Sequence, residues 1–254
     1  MELIDVAITA AKKGGEAILK YYETSVRREV KADKSFVTAA DKDAETAILN
    51  EIQTHFPGHG ILSEESEEQK STSPYSWVID PLDGTANFVN GIPLFAVSIA
   101  VLKDGQPVAG VVYQPVGDSL YAAEKGKGLT WKGKSVRVSD GGTEHAMISF
   151  GPAKNEKERL NKMLGNAEQF VKSKRYLGCT ALELAFVARG GTEGFVCIGL
   201  NKWDYAAGVL LVLEGGGMVT DFKGEPWRFG SSDYFLASNG KVHDALLELV
   251  TNAS

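Results

Sequence analysis

Trp77-Val78-Ile79-Asp80-Pro81-Leu82-Asp83-Gly84-Thr85-Ala86-Asn87-Phe88 is the stretch on which the reading of this chain turns. An apolar β-type run ends in two aspartates that bracket a proline, and a Gly-Thr pair follows. Pro81 breaks helical geometry, so Asp80 and Asp83 are expected on a stiff turn at a strand end. Two carboxylates held that close repel each other and are costly to bury uncompensated, and a cation between them is the natural remedy. A helix opening at Gly84, Thr85 and Ala86 leaves its first backbone N–H groups unpaired, and such termini bind phosphate. Metal ligands beside a phosphate cradle point to metal-assisted phosphoryl chemistry.

Two other stretches carry acids in comparable settings: Ile61-Leu62-Ser63-Glu64-Glu65-Ser66 and Trp203-Asp204-Tyr205-Ala206-Ala207-Gly208. Taken in order, the three resemble the G-E-E-S, D-P-[IL]-D-G-T and W-D-x-A-A-G motifs of the inositol monophosphatase family, with Ser63 in place of the usual glycine. The resemblance extends over nearly the whole chain. It implies a magnesium-dependent, lithium-sensitive phosphomonoesterase.

Bulk properties agree with an ordinary globular protein. The 254 residues suffice for one large domain or two closely packed halves, and 43% apolar with 24% charged residues argues against disorder. A net charge of −6 with mixed signs argues against a broad nucleic-acid or membrane footprint. Cys179 and Cys197 cannot build a disulfide framework and suit a reducing compartment. The N-terminus lacks the layout of a signal peptide, and the apolar run Ala206 to Leu213 is far too short to cross a bilayer. A cytoplasmic protein is expected.

Periodicity places Leu3, Ala7, Ala10, Gly14, Ala17, Ile18 and Tyr21 on one face of a helix within residues 1–26. A second helix is expected from near Asp41 to Phe56, stopped by Pro57-Gly58. Residues 75–124 read mainly as strands, with Asp104-Gly105 joining a hairpin between runs 95–102 and 107–113. The second half alternates: strands at 145–150, 193–198, 218–222 and 234–238, and helices at 155–172, 180–189, from Asp204 to Glu214, and at 241–251. This mixture indicates α/β or α+β layers. The resemblance sharpens it to a five-layer α-β-α-β-α sandwich, as in fructose-1,6-bisphosphatase, with halves 1–140 and 141–254, and it implies a homodimer.

Hydrolysing an unactivated phosphate monoester is extremely slow without a catalyst, and two metal ions with several convergent carboxylates are a known remedy. Glu64, Asp80, Asp83 and Asp204 supply carboxylates from three segments, and an all-oxygen set favours Mg2+, with Mn2+ as a substitute, over zinc. By the resemblance, Glu64, Asp80 and the Leu82 carbonyl hold one metal, and Asp80, Asp83 and Asp204 the second; a third ion is left open. Asp41 stands where an N-cap would, and it also matches the V-T-x-x-D whose aspartate pairs with the threonine of D-G-T. Asp41 and Thr85, with Glu64, are therefore the expected catalytic set, Thr85 orienting the attacking water.

Substrate contacts are expected from Leu82, Asp83, Gly84, Thr85 and Asp204, and from Gly178-Cys179-Thr180, which aligns with the family's Gly-Thr/Ser-Ala segment. Lys31 and Lys202 are further candidates for an anionic group, a solvated surface position being the alternative for both. Inositol-selective relatives carry a glutamate seven residues before the aspartate of W-D, and Cys197 stands there, a poor acceptor. The expected substrate is thus a small phosphate ester: inositol 1-phosphate, fructose 1,6-bisphosphate or another sugar phosphate. A non-catalytic dimeric scaffold is the alternative from a different class. Residues 128–135 match G-x-x-x-x-G-K-[ST], yet Trp131 and Lys132 fill the loop and 136–138 continue as a strand, so a basic hairpin is expected there.

Overall fold

A computed structural model describes residues 1–24, 29–30, 36–70, 72–151 and 156–253; Lys31 lies outside the described residues. Helix α1 (Leu3–Leu19) buries Val6, Ala7, Ala10, Ala11, Gly14 and Ile18, the face its periodicity marks. It stops short of residue 26. Lys20 N and Tyr21 N bond the carbonyls of Ala17 and Ile18, tightening the last turn, and Glu23 at φ 60° leaves helical space. A two-residue ribbon, β1 (Glu29–Val30) with β2 (Phe36–Val37), leads to α2 (Ala39–His55). Extended Thr38 is the N-cap of α2, and Asp41 is not: it lies three positions into the helix, where its Oδ2 accepts the Thr38 N–H at 2.7 Å.

Next come β3 (Gly60–Ser63), β4 (Tyr75–Asp83), the one-turn helix α3 (Thr85–Val89), β5 (Ala96–Lys103), β6 (Gln106–Gln114), β7 (Ser119–Glu124), β8 (Gly128–Trp131) and β9 (Lys134–Val136). Strands β3 to β9 form a seven-stranded sheet in chain order, parallel between β3 and β4 and antiparallel thereafter. Asp104 and Gly105 both take positive φ, 49° and 75°, as a two-residue hairpin requires. Lys132 and Gly133 do the same between β8 and β9, so the phosphate-loop lookalike is a hairpin.

The second half contributes β10 (Met147–Phe150), α4 (Lys157–Asn166), β11 (Ser173–Arg175), α5 (Thr180–Ala188), β12 (Gly194–Ile198), α6 (Lys202–Glu214), β13 (Met218–Asp221), β14 (Tyr234–Ser238) and α7 (His243–Thr251). Its five strands run in the order β11-β10-β12-β14-β13. The helix expected over 155–172 is shorter, passing through a 3₁₀ turn at Ala167–Gln169 into β11, a three-residue edge strand too short to show a period. α6 starts two residues before Asp204.

The result is an α+β sandwich of five layers: α1 and α2, the large sheet, α5 and α6, the small sheet, then α4 and α7. Three apolar clusters fill the spaces between them. One joins α1 and α2 to the large sheet through Ile48, Trp77 and Val97; a second surrounds α5 and α6; a third joins the small sheet to α4 and α7 through Met163, Ile198 and Leu246. No helix among the described residues is long and apolar enough to cross a membrane. In the middle layer, Gly208 lets α5 and α6 touch: a Cβ there would lie 2.6 Å from Leu184 Cβ. We expect Gly208→Ala to destabilise the fold by about 1–3 kcal/mol through overpacking, read by urea denaturation. Unchanged stability would mean the helices part freely.

Candidate active site

The large sheet delivers the first carboxylates. Pro81 has no N–H for the ladder, and the β4–β5 register slips there: Asp80 faces Ser98, whereas Asp83 faces Ala96. That extra residue is a bulge, which re-aims the chain as it leaves the sheet. Asp80 is 1% exposed, and its Oδ1 accepts the Leu82 N–H at 3.0 Å. The parallel pairing of β3 and β4 continues one step past Ser63, with Glu64 N on Ile79 O at 3.2 Å, and so sets Glu64 beside Asp80. Ser63, in the place of a glycine, is itself satisfied: its hydroxyl donates to the Glu45 carboxylate, which also receives Ser66 Oγ at 3.0 Å.

Gly84 turns the chain into α3 at φ 86°, and a Cβ there would stand 2.8 Å from Leu94 O and 3.1 Å from Cys179 Cβ. Only glycine fits on both counts. Thr85 then donates its single hydroxyl proton between two acceptors, Leu82 O at 3.0 Å and Asp41 Oδ1 at 3.4 Å. Asp41, 1% exposed, is steered to this spot by its Oδ2 bonds from the Thr38 amide and hydroxyl, both 2.7 Å.

The second half arrives through helix N-termini. Asp83 Oδ2 accepts the Ala181 N–H at 2.6 Å and the Cys179 thiol at 3.3 Å, so an aspartate of the large sheet caps α5. Of the candidate contacts on that helix, Cys179 and Thr180 are buried and Gly178 is partly exposed. Asp204 occupies in α6 the position Asp41 holds in α2, its Oδ2 accepting the Asn201 N–H at 2.9 Å. Ser98 Oγ, opposite Asp80, reaches Trp203 O at 3.5 Å and ties this helix start to β5. Lys202, the first residue of α6, is exposed.

Burial holds the Asp80 carboxyl well above its ordinary range, and the charges of Glu64, Asp83 and Asp204 push it further. Burial raises Asp83 to about 7, against the opposing bonds from Ala181 and Cys179. Asp41 is raised by burial, with the Thr38 bonds opposing. As they stand, no three His, Cys, Asp or Glu side chains among the described residues form a ready metal-binding group. Three of the four acids are each anchored through one oxygen by the chain's own N–H groups. The donor chemistry nevertheless fits a hard divalent cation: mutually repelling carboxylates, Asp80 buried and the others partly so, and the Leu82 carbonyl, all oxygen.

The sequence matches the description "Inositol monophosphatase family" over residues 1–254. The chain belongs to the inositol monophosphatase family. It is 39% identical over 252 residues, 96% of this chain and 94% of the relative, to Nus factor SuhB of Escherichia coli. It is 34% identical over 251 residues, 98% and 96%, to the fructose-1,6-bisphosphatase/inositol-1-monophosphatase of Thermotoga maritima. Among solved structures, the extragenic suppressor protein suhB from Bartonella henselae superposes with a TM-score of 0.93 at 37% identity, over 98% of both chains. The fold expectation is thereby met.

Two residues outside the expected set, Asn87 and Glu183, also build this site. Asn87 clamps α3 to the 177–178 loop, its Nδ2 donating to Leu94 O at 2.7 Å and Leu177 O at 2.8 Å. Glu183 lies buried on α5, takes the Leu177 N–H at 2.9 Å, and is raised by burial to about 8. Asn87 lies two residues past the D-P-L-D-G-T motif, inside the stretch that decides the fold, and a lone acid in an apolar helix marks Glu183; their partners carry no sequence signal. A carboxylate whose folded pKa is raised binds its proton in the native state and not in the unfolded chain. Its contribution is therefore full below the unfolded value and is lost as pH rises toward the folded one. In chelator, we expect wild-type stability to fall between pH 4 and about 7 more steeply than that of Asp83→Asn, read by denaturation at stepped pH. Parallel profiles would show that Asp83 does not hold a proton in this window.

Proposed function

We propose that the chain hydrolyses a small phosphate monoester of a polyol or sugar, such as inositol 1-phosphate, to the alcohol and inorganic phosphate, in a Mg2+-dependent and lithium-sensitive reaction. The observation that carries this reading is the convergence of Asp80 with Glu64, Asp83 and Asp204 beside the Asp41–Thr85 contact. By the resemblance, Glu64, Asp80 and the Leu82 carbonyl would hold one Mg2+, and Asp80, Asp83 and Asp204 a second. Bound there, the cations would supply Lewis-acid polarisation of the phosphoryl oxygens and lower the pKa of water.

The chain's own groups do the rest. The N–H groups of Thr85 and Ala86 that open α3, with that of its N-cap Gly84, orient phosphoryl oxygens in line with the attacking water. The Thr85 hydroxyl, shared between Asp41 Oδ1 and Leu82 O, presents its lone pair to a proton of that water. Asp204, fixed by the Asn201 amide, borders the leaving alcohol. Gly178, Cys179 and Thr180 shape the pocket mainly through backbone, since two of their side chains are buried. We assign residues 1–140 and 141–254 to two halves, one per sheet, and take the protein to be a cytoplasmic homodimer, as the resemblance implies.

Fructose 1,6-bisphosphate is the competing substrate within this reading, supported by the name of the Thermotoga maritima relative and by Cys197, which is fully buried in β12 and no acceptor for inositol hydroxyls. A second reading, a binding protein that engages transcription partners beside or instead of catalysis, rests on the relatives named Nus factors.

Phosphate release from both esters, with Mg2+ and with chelator, tests the proposal. We expect metal-dependent turnover and, for Asp80→Asn with the fold retained, a loss of at least about 100-fold. Turnover that survives Asp80→Asn would refute the site, and no turnover of either ester would favour the binding reading.

A further inference from the structure

The small sheet ends in an exposed carboxylate, Asp233, whose bonds tie it to α6 and to the neighbouring strand. Asp233 precedes β14 and lies one position beyond the Ile198–Tyr234 pair, beside Gly199. Two residues along the strand from Phe235, it shares that residue's face, which Cys197 and Phe235 turn into the apolar cluster around α6. Its carbonyl accepts the Gly199 N–H at 2.9 Å and the Cys197 thiol at 3.3 Å. Its Oδ1 accepts the Tyr205 hydroxyl at 2.7 Å.

Those partners are themselves closely packed. Tyr205 is fully buried and packs edge-to-face on Trp227, Phe229 and Phe235 at 5.6, 6.1 and 5.2 Å between centroids. Trp227 in turn donates to Ser232 O at 2.7 Å, closing the loop that ends at Asp233. Asp233 is thus exposed, yet its side chain is held by a buried phenol and its backbone by the strand opposite.

The same contacts connect it to the candidate site. Tyr205 follows Asp204 directly in α6, and the segment that receives Asp233 O at Gly199 ends at Asn201, whose amide fixes Asp204. The buried Cys197 thiol, which donates to Asp233 O, is raised first by desolvation and further by the charges of both Asp204 and Asp233, so both carboxylates lie within electrostatic range of it. An aspartate on a free loop loses side-chain entropy when it binds; this one has already lost it.

We infer that Asp233 is a specificity-determining residue whose fixed carboxylate accepts hydrogen bonds from hydroxyl groups of the polyol being released, a task for which Cys197 is too buried. The inference rests on the phosphatase reading above. It assigns recognition of uncharged vicinal hydroxyls to this rim, and a second phosphate on that side of the substrate would meet like charge.

The test compares kcat/KM for inositol 1-phosphate and for 4-nitrophenyl phosphate, which has no hydroxyls, in wild type, Asp233→Asn and Asp233→Ala, with thermal melts of each. Asp233→Asn keeps an acceptor for Tyr205 and carries the test if the alanine variant does not fold. We expect the preference for inositol 1-phosphate over the nitrophenyl ester to fall by about tenfold in Asp233→Ala, mainly through KM, and less in Asp233→Asn. An unchanged preference, or equal losses on both esters, overturns the assignment while the phosphatase reading stands. A wild type that hydrolyses neither ester overturns both.

Discussion

Carboxylates gathered in partly buried surroundings repel one another, and much of this fold is arranged around that repulsion. Asp80 feels Glu64, Asp83 and Asp204, and burial already disfavours its charge. Three of these four acids are each restrained by a donor that the backbone supplies: Leu82 N on Asp80, Ala181 N on Asp83, Asn201 N on Asp204. The donors are the N–H groups that a bulge and two helix N-termini leave without partners. Holding the acids together thus also satisfies orphaned backbone, and the two needs meet at the same place.

Asp83 shows how this joins the two sheets. It belongs to the last residue of β4, yet its carboxylate caps α5, in the other half of the chain. Cys179, Gly84 and Asn87 crowd the same junction, and the close approach of Gly84 to Leu94 and Cys179 leaves no room for a side chain. A residue read for its chemistry is therefore also a structural tie.

Much of the element pattern was legible before the fold was known, because long strands and helices carry their period in the sequence. The hairpin at Asp104-Gly105 and the helices at 180 and 241 are of this kind. Short elements were not. β3 and β11 have too few residues for a period, and α1 ends on local turn bonds that no apolar spacing announces. Of the two readings the sequence offers for Asp41, the N-cap falls to Thr38, whose extended backbone presents the hydroxyl to Ala40 N, and the contact with Thr85 is present. The motif acids were legible as a set since three ordered patterns contain them; Asn87, Glu183 and Asp233 were not, since their partners lie in distant segments.

The sequence by itself determined the class of fold, the family and the identity of the candidate acids, because these follow from local periodicity and from residues adjacent in the chain. Tertiary structure alone decided which acid meets which: the parallel register that sets Glu64 beside Asp80, the bulge that turns Asp83 toward α5, and the Tyr205 hydroxyl that fixes Asp233. Those contacts depend on distances and directions between segments far apart in the chain. Packing sets them, and residue order does not encode them one position at a time.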